Sequence, residues 1–89
     1  MQTLHLIITG KVQGVFFRAK AKAEAEKYRI KGWIKNTNDQ KVEALITGET
    51  DMLNLFIEWC KIGPEKARVE EVLVSEHTEK EFDGFEIIR

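Results

Sequence analysis

Between Gly10 and Arg18 the chain reads GKVQGVFFR, with Gly10 and Gly14 spaced through a turn and an arginine closing it. Glycine lets backbone N–H groups converge on one point with no Cβ in the way, and the unpaired N–H groups of a following helix add partial positive charge. Arg18 supplies a fixed fork of donors suited to an oxyanion. The stretch therefore reads as an anion cradle. A dianionic phosphoryl group could be held there by fixed donors alone. Phosphoryl transfer depends mostly on positioning and charge stabilisation, so what remains is a group to orient water in line with the leaving oxygen. Asn36 offers an acceptor and a donor in one planar amide. Each piece also has an ordinary reading: a strand-turn-helix corner, a solvated helix arginine and a hairpin asparagine.

Two motifs in this order decide between those readings. GKVQGVFFR resembles the first signature of the acylphosphatases, and GWIKN at Gly32 to Asn36 resembles the start of their second. The resemblance covers nearly the whole chain. It implies hydrolysis of the carboxyl-phosphate bond of acyl phosphates to a carboxylate and inorganic phosphate, with no metal, cofactor or covalent intermediate. It puts the catalytic arginine on Arg18 and the catalytic asparagine on Asn36. The phosphate-binding loop falls on Gly10 to Phe17, with main-chain donors from Gln13, Gly14, Val15, Phe16 and Phe17, beside Arg18. It also implies that the substrate phosphate accepts the water's proton, in keeping with signatures that hold no histidine or carboxylate. One position departs from the pattern: Gln40 stands where the second signature carries glycine. A reshaped hairpin tip with Asn38 or Asp39 at positive φ, and an intact site, is the expectation. Phe16 stands where some relatives carry other side chains, a matter of packing that leaves the amide donors untouched.

The remaining composition narrows the partners. Eighty-nine residues suit one small domain spanning 1–89, and 43% hydrophobic with 33% charged residues describes a chain with a core and a solvated surface. A net charge of −1 gives no general field for nucleic acid or an acidic membrane, so anion binding must arise from local geometry. A small molecule is the expected partner. His5, His77 and the single Cys60 have no metal-ligand spacing, and no apolar run approaches the roughly 20 residues of a membrane span. A cytoplasmic monomer is expected.

The elements that would position the site follow from periodicity. Thr3 to Thr9 alternates Leu4, Leu6 and Ile8 with more polar residues, which predicts an interior strand, with Lys11 to Val15 as the loop. Phe17 to Arg29 is rich in Ala, Lys and Glu, and Phe17, Ala21, Ala25 and Tyr28 share one helical face. Lys31 to Thr37 and Lys41 to Thr47 read as an antiparallel hairpin around Asn38 to Gln40. Thr50 is the expected helix cap, followed by Met52, Leu55, Phe56, Trp59 and Cys60 as the apolar stripe, with Gly63 and Pro64 as the stop. Val69 to Glu76 and Phe85 to Ile88 are further strands, with Val72 and Val74 on one face. The order β-α-β-β-α-β plus a short strand predicts an α+β, ferredoxin-like sandwich, two helices packed on one face of an antiparallel sheet.

That fold names no function by itself. It permits the loop after the first strand and the second strand to meet at one edge; the family resemblance is what places Arg18 and Asn36 together. Trp33 is read as packing, with a place beside the acyl group as the alternative, and Thr37 as either a plain strand residue or a support for Asn36. Competing functions are a non-catalytic anion-binding or accessory module and an RNA-binding sheet. The last lacks the basic face and exposed strand aromatics such sheets use.

Overall fold

The computed structural model describes residues 1–89. The chain runs β1 (Gln2–Lys11), α1 (Phe17–Lys27), β2 (Lys31–Asn36), β3 (Val42–Gly48), α2 (Thr50–Ile62), β4 (Arg68–His77) and β5 (Phe85–Ile88). The five strands form one sheet in the order β4-β1-β3-β2-β5, with both helices against one face. Strands β4, β1, β3 and β2 pair antiparallel, as expected, but β5 lies parallel to β2, so the sheet is mixed. The chain reaches β5 only by crossing from one sheet edge to the other. Buried Thr3 and Thr47 anchor that crossing: their hydroxyls pair at 2.7 Å, and the Lys80 N–H and C=O bond them at 3.0 and 2.9 Å.

Alternation along each strand sends one set of side chains inward. Leu4, Leu6 and Ile8 of β1, Val42, Ala44 and Ile46 of β3, and Ile34 of β2 are buried beneath the helices. From α1 come Phe17, Ala21 and Ala25, whose two small alanines let the helix lie close to the sheet; Tyr28 packs at the margin. On α2 the buried stripe is Leu53, Phe56, Ile57 and Cys60, whereas Leu55 faces solvent. The expected stripe was thus correct in Phe56 and Cys60 and displaced at Leu55, because the 3-4 spacing through those two selects Leu53 and Ile57.

Two termini differ from expectation. Glu49, not Thr50, is the N-cap of α2; Thr50 is already helical and its hydroxyl donates to Gln2 Oε1 at 3.2 Å. Helix α1 stops at Lys27, with Arg29 at φ 58° turning the chain into β2. Gly63, at φ 71°, ends α2 as read from the sequence.

Candidate active site

A register shift between Thr9 and Gly10 marks the point where β1 stops pairing regularly with β4 and turns toward the loop. Gly10 makes that shift possible: its φ is 121°, and a Cβ there would stand 2.1 Å from the Arg68 carbonyl oxygen. Gly14, at φ 72° with nothing near the place of a Cβ, is glycine for its backbone conformation alone. Buried Val12 and Val15 pin the loop to the core on either side of it.

The loop delivers the chain into α1 in an unusual way. Phe16, the N-cap, sits at φ 64° and ψ 22°, offers no side-chain cap, and no acidic residue follows in the first turn. The first helical bond runs from Lys20 N–H to Phe16 C=O at 3.1 Å, so the N–H groups of Phe17, Arg18 and Ala19 have no partner within the helix. Arg18 adds a full positive charge where the helix dipole is already positive, and it joins no ion pair. An anion is the partner that would relieve all of these groups at once.

Asn36 ends β2 on the helix side of the sheet, two residues beyond buried Ile34. Its Oδ1 is buried and accepts no hydrogen bond from the protein. Arg18 and Asn36 line one cavity of about 340 Å³ together with Val12, Gly14, Phe16, Phe17, Ala19, Ile87 and Arg89. No acidic residue and no histidine is among them.

Of the residues anticipated from the sequence, Gly14, Phe16, Phe17, Arg18 and Asn36 line the cavity, and Gln13 and Val15 do not. The Gln13 side chain instead spans to the neighbouring hairpin, its Nε2 donating to the Thr37 and Lys41 carbonyls, each at 2.9 Å. It braces the loop against the strand end that carries Asn36. Thr37 gives Asn36 no side-chain support: its hydroxyl bonds Asp39 and the Lys41 backbone, closing the hairpin. The Thr37 hydroxyl first, and Lys41 second, hold the Asp39 carboxyl below the usual carboxylate range. Positive φ in this turn falls on Gln40 itself, at 68°, and not on Asn38 or Asp39. Glutamine thus adopts the conformation that glycine would take freely. Trp33 lies off the cavity, under the Lys35 ammonium at 5.4 Å.

Ile87 and Arg89 escaped the sequence reading. Parallel pairing of β5 sets Ile87 beside Ile34 and Ile88 beside Lys35, which carries residue 89 alongside Asn36. The two-residue spacing of Phe85, Ile87 and Arg89 was the available signal. Cys60 is fully buried, and burial pushes its thiol far above its ordinary range, leaving it unreactive. No group of three or more His, Cys, Asp or Glu is placed to hold a metal ion, and no helix is long and apolar enough to cross a membrane.

A glycine loop with unpaired N–H groups on a ferredoxin-like sandwich, sharing a small cavity with a lone amide, defines the class. The acylphosphatase family model matches residues 4–87. Acylphosphatase from Thiobacillus denitrificans is 46% identical over 86 residues, covering 97% of this chain and 96% of that one. Acylphosphatase from Pyrobaculum islandicum is 49% identical over 86 residues, covering 94% and 90%. Among solved structures, acylphosphatase from Bacillus subtilis superposes with a TM-score of 0.95 at 36% identity, over the full length of both chains. The chain belongs to the acylphosphatase family of hydrolases.

Proposed function

We propose that this chain hydrolyses the carboxyl-phosphate bond of acyl phosphates, releasing a carboxylate and inorganic phosphate without a metal ion. Arg18 and main-chain N–H groups from Gln13 to Phe17 hold the phosphoryl oxygens; Asn36 holds the attacking water through its amide. The water oxygen bonds to phosphorus as the bond from phosphorus to the carboxyl oxygen breaks. The electron pair leaves with the carboxylate, and a non-bridging phosphoryl oxygen takes the water's proton. A carboxylate is a good leaving group, so a neutral amide suffices where a phosphate ester would call for a stronger acid.

The observation that carries this reading is that Asn36, whose buried Oδ1 has no protein donor, lines the same cavity as Arg18, which joins no ion pair. A buried acceptor left unmatched costs about 1–3 kcal/mol, a cost that marks Asn36 as a side chain not placed there for folding alone. The reading includes a monomer acting in the cytoplasm on a small soluble substrate, and gel filtration at the mass of one chain checks the first of these.

Benzoyl phosphate hydrolysis tests the mechanism. Arg18→Ala should lower turnover by at least about 10²–10³-fold, the loss typical of one oxyanion donor, because it removes binding charge as well. Asn36→Ala should collapse turnover while inorganic phosphate still binds. A chelator should change neither rate. Near-normal hydrolysis by Arg18→Ala, or chelator sensitivity, would overturn the assignment.

A further inference from the structure

Phe16 is the one large apolar side chain on the cavity that is turned out to water. It is 73% exposed, whereas its neighbour Phe17 is 2% exposed and packs its ring on Trp59 at 5.4 Å between centroids. The Phe16 backbone is also anomalous, since φ 64° is a conformation that a bulky side chain rarely adopts. The surroundings do not call for a phenyl group: the ring caps nothing, and no aromatic pairing includes it. A strained residue with a solvent-facing ring at a cavity mouth is a signature of ligand contact more than of folding. The cavity, at about 340 Å³, is in the range of small-molecule sites and much larger than a tetrahedral oxyanion needs. Val12, Ala19 and Ile87 give it further apolar wall.

We infer that Phe16 is a specificity-determining residue whose exposed ring, at the rim of the cavity, receives the acyl part of the substrate and favours aromatic or bulky apolar acyl phosphates over small ones. The inference rests on the hydrolase reading above. With the phosphoryl group on Arg18 and the loop, and water at Asn36, in-line departure sends the carboxylate to the side of the phosphorus away from Asn36. An aryl group travelling with it can stack on Phe16, an arrangement closed to an acetyl group.

The readout is the ratio of kcat/KM for benzoyl phosphate to that for acetyl phosphate, measured within each variant so that any general change in the loop cancels. Phe16→Ala keeps a Cβ at the same backbone conformation and should lower the ratio about tenfold, the loss appearing in KM for benzoyl phosphate. Phe16→Tyr should hold the ratio within about threefold of wild type. An unchanged ratio in Phe16→Ala, or an equal loss in Phe16→Tyr, overturns the inference. The wild-type protein gives a separate measure: as inhibitors, phenylphosphonate should bind about tenfold tighter than methylphosphonate, and equal affinities would also overturn it. Failure of wild type to hydrolyse either acyl phosphate would instead strike the hydrolase reading.

Discussion

Replacing Asn36 by leucine separates what this residue does for the fold from what it does for the chemistry. The amide oxygen is buried with no protein donor, a condition that costs about 1–3 kcal/mol. Leucine has nearly the same shape and no polar atom, and it would extend the apolar row begun by Ile34, which is fully buried two residues earlier on the same face. The expected net gain is about 1 kcal/mol, which for a domain of this size raises Tm by about 4–8 °C. Turnover of benzoyl phosphate should fall below about one hundredth of wild type, as for loss of a transition-state hydrogen bond. Calorimetry and a continuous hydrolysis assay on the same preparation read both. A Tm several degrees lower would show that Asn36 contributes to folding and that its oxygen is satisfied. Retained turnover would refute its part in positioning water.

Three further outcomes test the frame around the site. Gln40→Gly should stabilise by about 0.5 kcal/mol, the relief of a left-handed glutamine less the added flexibility of glycine in the unfolded chain, and a loss of stability in urea would contradict this. Gly10→Ala should cost about 2–4 kcal/mol, because its Cβ meets the Arg68 carbonyl oxygen at 2.1 Å in a backbone conformation closed to alanine; an unaltered urea midpoint would rule out the close approach. The Asp39 carboxyl titrates lower in the folded chain than in the unfolded one, so its contribution to stability is present above about pH 4 and lost as pH falls through the folded value. The Tm gap between wild type and Asp39→Asn should therefore narrow from pH 5 to pH 2, and a constant gap would contradict the bonding at the hairpin tip.

The parts of this molecule legible in its sequence are those set by short-range pattern. Alternation in Thr3 to Thr9 marked β1, and the Ala, Lys and Glu of α1 marked a helix because their propensity and the shared apolar face agree. The shared cavity of Arg18 and Asn36 was legible because each lies in a compact motif. Arg89 was not, since its place depends on β5 crossing the sheet to pair parallel with β2, a long-range choice with no local mark. The side-chain bonds of Gln13 were hidden for a related reason: a glutamine in a loop declares its donors and not where they go. At Gln40 the turn geometry prevailed over residue preference, because Thr37 and Lys41 fix the hairpin on either side.

The Gln13 carboxamide, fastened at two points to the hairpin, makes the spacing between the glycine loop and the strand end that carries Asn36 a mechanical property of the protein. Under the proposed mechanism, a displacement of the exposed tip would carry over into the alignment of nucleophile and phosphorus. The tip would then be a tuning point for rate, where a substitution adjusts turnover while the loop's own donors stay unchanged.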